Sequence, residues 1–142
     1  MNPAITEKDV DILARTCFGE ARGEGLEGMV AVAWVAINRA KIAAATRRPQ
    51  FGDGTIAAAC LAPEQFSCWN QSDPNRSFIK LATLGSTAFQ VAYLAALSAI
   101  TGHISDPTDG ATGYWASYIP TPAWAAGRDY VSIGRHKFVK DI

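Results

Sequence analysis

The chain alternates between stretches whose apolar residues recur at helical spacing and stretches with no such spacing. Val10, Leu13 and Cys17, with Ala14, Phe18 and Ala21 beside them, recur at three- and four-residue steps and so form one helical stripe. Thr6 followed by Asp9 resembles a capping box with Asp in place of Glu, which predicts a helix opening there and running to about residue 21. Gly23 and Gly25 break the pattern. A second helix is predicted from about residue 26 to residue 44, and its "MVAVAWVAI" is apolar on every side, as a central core helix would be. Residues 47–54 read as a loop, 55–61 as a short Ala-rich helix, and 62–75 as irregular structure around Pro63 and Asp73-Pro74-Asn75. Residues 86–101 make another apolar helix, ended by Gly102. Beyond "DPTDGATG" the aromatic residues Tyr114, Trp115, Tyr118, Trp124 and Tyr130 lie among Pro and Gly without helical spacing. "YVSIGRHKFV" sets β-branched residues on both sides of Gly134, as a hairpin does. The expected architecture is mainly α (α+β): residues 1–142 as a single domain with a small C-terminal β hairpin.

Glu20 is the position that does not fit. Positions 10, 13, 17 and 20 share one helical face, so Glu20 continues an apolar stripe. Glu24 and Glu27 lie beyond Gly23, where helix ends are expected to meet water. An ionised carboxylate against apolar side chains loses hydration, which favours its neutral form and raises its pKa. A Glu that holds a proton near neutral pH can pass it to a leaving group, as cleavage of a glycosidic bond requires. The competing reading is a helix frayed after Phe18, with Glu20 turned outward or paired to Arg15 or Arg22. Glu24 has its own alternatives: a second catalytic group beside Glu20, or a solvated or capping role for the next helix.

Composition and charge narrow the function classes. Hydrophobic residues make up 49% of the 142 and charged residues 18%, a globular balance. Thirteen basic and thirteen acidic residues cancel, so no net field draws the chain to nucleic acid. The basic clusters Arg39, Lys41, Arg47, Arg48 and Arg135, Lys137, Lys140 read as solvated surface or as contacts to an anionic polymer. No residue from Leu81 to Ser105 is charged, yet Thr, Ser, Gly and Gln interrupt the run too often for a span. A buried helix without stable membrane insertion is expected there. "MNPAITEKDVD" has neither the basic nor the apolar region of a classical secretion signal, so synthesis in the cytoplasm is expected. Cys60 and Cys68, eight positions apart around Pro63, either close a small disulfide loop or remain two buried thiols. Three Cys and two distant His lack paired-ligand spacing, so no metal site and no cofactor are expected.

Four blocks occur in order: "GEARGEGLEGMVAVAWVAINR", "PEQFSCWN", "DPTDGATGYW" and "IGRHKF". From about Leu13 to Phe138 they make the chain resemble the cell-wall hydrolase family typified by spore-cortex-lytic enzymes, which has close relatives among phage endolysins. The resemblance implies a lysozyme-like, mainly helical fold and cleavage of the glycan strands of peptidoglycan. It places the catalytic acid at the first Glu of "GEARGE", which is Glu20 here. It also implies a lytic transglycosylase route, with one Glu acting as acid and then base to leave a 1,6-anhydromuramyl end. A water-using N-acetylmuramidase or glucosaminidase is the chemical alternative, and a non-catalytic peptidoglycan-binding module the alternative of another class.

Sugar rings pack their C–H faces on aromatic rings and need oriented polar partners for their hydroxyl and acetamido groups. "QFSCWN" offers Gln65, Ser67, Trp69 and Asn70, and "GYW" offers Tyr114 and Trp115, with core filling as the other reading of each ring. Thr112, His136 and Glu24 complete the candidates for substrate contact. At Gly113 many relatives carry His, so whatever that His does cannot be transferred to this chain. The expected setting is a monomeric phage-type endolysin that reaches the periplasmic cell wall through a separate holin-type pore.

Overall fold

The computed structural model describes residues 4–46, 48–63 and 65–140. Its helices are α1 (Glu7–Ala21), α2 (Gly25–Thr46), α3 (Ile56–Leu61), α4 (Asn75–Leu81) and α5 (Thr87–Ile100), followed by strands β1 (Gly113–Ala116), β2 (Val131–Ile133) and β3 (His136–Val139). The capping box forms as expected. Thr6 Oγ1 accepts the Asp9 N–H at 3.3 Å, and Asp9 Oδ2 accepts the Thr6 N–H at 2.9 Å. The other Asp9 oxygen accepts the Ala57 N–H at 2.9 Å, so one buried carboxylate also holds the first turn of α3 against α1.

Helix α2 is the centre of the molecule. Met29, Val30, Val32 and Val35 are buried in one core cluster with Leu13, Cys17 and Phe18 of α1 and Phe89, Ala92 and Ala96 of α5. This accounts for an apolar surface on every side of α2. The uncharged run from Leu81 contributes α5, which at 14 residues is shorter than the roughly 20 needed to cross a bilayer and packs into that core instead.

Two elements depart from the expectations. Residues 75–81 were expected to be irregular or unassigned, yet they form α4, which buries Ile79 completely. Its end is held from outside: Arg15 Nη1 donates to the carbonyls of Ile79, Lys80 and Ala82 at 2.6, 3.2 and 3.0 Å. A seven-residue helix with one buried residue leaves no periodic signal. The expected hairpin around Gly134 forms from β2 and β3, but β1 joins it to give an antiparallel sheet of order β1-β3-β2. Tyr114 sits opposite Phe138, and Ala116 opposite His136. Strand β1 has four residues, too few for alternation to show, and its partner lies far along the chain. Phe138 and Ile133 join the helical core, while Trp115, Ala125 and Val139 make a smaller cluster of their own.

Cys17, Cys60 and Cys68 are buried free thiols, so the loop disulfide considered for Cys60 and Cys68 is not formed. The two engage different turns of α1: Cys60 interacts with Thr16, whereas Cys68 packs on Gly19. Burial pushes the Cys60 thiol up to about 12. The first basic cluster is not solvated surface throughout. Arg39 is buried, Lys41 Nζ lies 5.1 Å from the Trp34 ring, and Arg48 lies 4.6 Å from the Phe51 ring. Arg47 lies outside the described residues, as do Glu64 of "PEQFSCWN" and the first three residues of the chain.

Candidate active site

Glu20 occupies the last turn of α1, partly buried. The residue before it decides what can approach. A Cβ on Gly19 would stand 2.7 Å from Cys68 Cβ, so only glycine lets the short turn Ser67–Trp69 lie directly on the helix. That approach brings the Cys68 N–H to 3.0 Å from Glu20 Oε2 and the Ser67 hydroxyl to 3.4 Å. The other oxygen, Oε1, accepts a hydrogen bond from the Tyr114 hydroxyl on β1. Donors from two distant segments therefore converge on both oxygens. The purely apolar surround expected from the stripe is corrected accordingly. The frayed-helix reading fails as well: Arg15 pairs with Asp11 at 3.0 Å, and Arg22 donates to Asn75 Oδ1 at 2.9 Å.

Tyr114 is itself held on three sides. Its ring stacks on Phe138 with centroids 5.5 Å apart, meets the His136 ring edge-on at 5.3 Å and tilts against Phe66 at 6.4 Å. Burial foremost, then the Glu20 charge, push its hydroxyl well above the ordinary phenol value, which keeps it a proton-bearing donor. Arg39 ties the two sides of the site together. Its Nε donates to the Thr112 carbonyl at 2.7 Å and its Nη1 to the Gln65 carbonyl at 3.1 Å, while its guanidinium lies 4.6 Å from the Phe66 ring. Burial lowers its pKa, opposed by Tyr114, Cys60 and Glu20. The structure makes Arg39 a supporting residue that sequence reasoning missed. The signal was available, since Arg39 continues an apolar face of α2 as Glu20 continues one of α1.

A groove of about 510 Å³ opens over the carboxylate. Glu20, Gln65 and Ser67 line it together with Gly113, Tyr114, Trp115, Ile119 and Trp124. Trp124 is 45% exposed and meets Trp115 edge-on at 5.8 Å. It is the groove ring most available to a sugar face, although its sequence context marks it only as one aromatic in an irregular stretch. Trp115 is buried beneath Trp124 and Tyr130 and presents little more than an edge. On the other flank of Glu20 lies a smaller hollow of about 120 Å³ lined by Gly23, Glu24, Tyr118, Arg135 and His136.

Gln65, Ser67, Tyr114 and Trp115 thus meet around Glu20 as expected, and His136 stands behind Tyr114. Others do not. Trp69 Nε1 donates to Thr16 Oγ1 at 2.8 Å, and with Asn70 it faces a separate depression beside Pro63. Thr112 is 1% exposed, because Arg39 and the Val139 carbonyl hold its backbone beneath the groove. Glu24 was expected to meet water, yet its side chain is only 6% exposed. It accepts the Arg135 backbone N–H at 2.6 Å and Arg135 Nε at 2.9 Å. The Arg135 N–H foremost, then the Arg135 side chain, hold its carboxyl below the usual range, opposed by burial. With both oxygens engaged it is not a second acid. His136 Nδ1 lies 3.6 Å from Glu24, and burial holds the imidazole below its ordinary value against the pull of Glu24 and Glu20. Among the described residues no cluster of three or more His, Cys, Asp or Glu is placed to hold a metal ion.

Residues 23–139 match the family model of cell wall hydrolases. The chain belongs to the cell wall hydrolase family. It is 30% identical over 134 residues to the spore cortex-lytic enzyme of Halalkalibacterium halodurans, covering 94% of this chain and 35% of that one. With the spore cortex-lytic enzyme of Bacillus subtilis it shares 30% over 139 residues, covering 97% and 39%. The chain thus spans well under half the length of these curated relatives. Among solved structures, it resembles the catalytic domain of the germination-specific lytic transglycosylase SleB from Bacillus anthracis. The TM-score is 0.73 at 28% identity, over 99% of this chain and 100% of that one. The catalytic domain of the Bacillus cereus SleB protein gives a TM-score of 0.74 at 28% identity, over 98% and 95%. The family read from the four blocks is the family found, and the mainly helical fold with a small sheet is shared with these catalytic domains.

Proposed function

We propose that this domain cleaves the glycan strands of peptidoglycan, with Glu20 acting first as acid and then as base. The similarity to a lytic transglycosylase domain supports the substrate class. The observation that carries the role of Glu20 is its place in the groove. Among the described residues lining that groove it is the only carboxylate, and donors from Ser67, Cys68 and Tyr114 fix its orientation. A glycosidase with paired carboxylates uses the second as base or nucleophile. With no second carboxylate among the described residues of the groove, the substrate is taken to supply the nucleophile.

Glu20 gives its proton to the glycosidic oxygen as the C1–O bond of the muramyl sugar breaks. The muramyl 6-hydroxyl oxygen then closes on C1, and its proton returns to Glu20. The carboxyl group is regenerated, no water is consumed, and the new end is a 1,6-anhydromuramyl residue. Tyr114 suits both halves of the cycle, because a phenol hydroxyl donates to a carboxylate and accepts from a carboxylic acid. The phage-type endolysin role, with release through a separate holin-type pore, belongs to the same proposal, and its support is the similarity of the sequence blocks to that group.

Mass spectrometry of digested peptidoglycan tests the route. Anhydromuramyl ends are expected from the native chain, and none from Glu20→Gln. Reducing-end muramic acid as the sole product would assign hydrolysis by a water instead. Equal wall binding with no cleavage by either protein would make the domain a binding module.

A further inference from the structure

The two flanks of Glu20 differ in kind. One is the aromatic groove; the other is the polar hollow, and Arg135 stands at the mouth of that hollow. Its position is fixed by Glu24, which takes both its backbone N–H and its Nε. The β2–β3 turn comes this close because Gly134 has a φ of +56° and a Cβ there would stand 2.8 Å from Glu24 Oε1. The guanidinium then lies over Gly23, where an added Cβ would be 3.3 Å from Arg135 Nη2, and its side chain is 67% exposed.

A guanidinium carries five N–H donors in one plane, and Glu24 occupies the Nε edge. The Nη edge is left facing solvent beside the catalytic carboxylate, in the geometry that receives a carboxylate through two parallel bonds. The other basic side chains of this segment are turned elsewhere. Lys137 Nζ lies 4.7 Å from the Tyr130 ring, and Lys140 pairs with Asp109 at 3.4 Å. In peptidoglycan the carboxylates near a muramyl C1 belong to the peptide stem attached to that sugar. We infer that Arg135, oriented by Glu24, anchors a peptide-stem carboxylate, so that the domain prefers peptide-bearing glycan to naked glycan. The inference rests on the reading of Glu20 as the glycan-cleaving acid.

The test compares kcat/KM on solubilised peptide-bearing glycan strands with kcat/KM on the same strands stripped of peptide by an amidase, with the lactyl carboxylates that the amidase frees then converted to amides so that they cannot replace the stem carboxylate. The native chain should prefer the peptide-bearing strands by about tenfold, the size of one charge-assisted contact at an exposed site. Arg135→Gln should bring the ratio close to one, chiefly through KM. Its backbone N–H still reaches Glu24, so the turn is kept. Arg135→Lys should fall between the two, since it keeps the charge and loses the fork, and Lys140→Gln should keep the native ratio. Raising the salt should lower the native preference without any substitution. A native chain that cuts both strands equally, or an Arg135→Gln ratio equal to the native one, overturns the inference while leaving Glu20 in place. A native chain that cuts neither overturns the reading of Glu20 and the inference with it.

Discussion

The helices and the C-terminal segment contribute to the same site by different physics. Glu20 and Arg39 project from α1 and α2, helices whose position follows from apolar stripes packed into one core. Tyr114, Trp115, Trp124, Arg135 and His136 come from residues 113–136, where strands of three and four residues alternate with turns. The helices offer a carboxylate in a rigid place, and the C-terminal segment supplies what orients it and walls the groove. The link between the two regions runs through Phe138 and Ile133 in the helical core, the Arg39–Thr112 and Tyr114–Glu20 hydrogen bonds, and the Glu24–Arg135 clasp. Catalytic groups on regular elements are held by many weak contacts at once, whereas the loop-borne partners depend on a few specific ones.

Substitutions can break that division or sharpen it. The largest effect belongs to Glu20→Gln, which removes the proposed proton carrier and should lower glycan cleavage at least about a thousandfold with the thermal unfolding midpoint nearly unchanged. Muropeptide release and a melting curve check both halves of that statement. Phe138→Ala should cost about 3–5 kcal/mol of stability, since Phe138 is 1% exposed and anchors the sheet to the helices. Denaturant unfolding measures it, and a loss below about 1 kcal/mol would mean that the sheet is not docked through this ring. Tyr114→Phe keeps the stack on Phe138 and removes the hydroxyl from Glu20. Its kcat should fall about ten- to a hundredfold with KM little changed, the range for a hydrogen bond to a reacting group. An unchanged kcat would leave Glu20 oriented by Ser67 and Cys68 alone.

The smallest effect concerns pH. Burial holds His136 below the ordinary histidine value of about 6.5. In the window below that pH the unfolded chain binds the proton more readily than the folded one. The stability His136 contributes is therefore present above about pH 6.5 and is lost as pH falls through its folded value. His136→Gln should flatten the acid side of the stability curve, followed by thermal unfolding between pH 7.5 and 5. A slope equal to the native one would place that loss on other groups.

The legibility of the chain follows the same division. The Thr6–Asp9 cap, the apolar stripe of α1 and the apolar run of α2 are local patterns, and each formed as read. Glu20 stood out because a carboxylate on an apolar stripe is a local anomaly. Helix α4 and strand β1 were not legible: one is held by Arg15 from another helix, the other by pairing with β3. Trp69 and Thr112 were read as glycan contacts because they neighbour good candidates in sequence. Adjacent residues in a tight turn or strand point in different directions: Trp69 turns to Thr16, and Thr112 is buried.

The sequence by itself determined the helices, the core that α2 occupies and the identity of the anomalous carboxylate, because periodicity and capping act over three or four residues. Only the tertiary structure decided which groups meet that carboxylate. Cys68 and Tyr114 lie 48 and 94 positions from Glu20, and Arg135 lies 111 from Glu24. No local rule reaches across such separations. They are closed by burial of Phe138 and by the absence of a side chain at Gly19, through the packing of the whole chain.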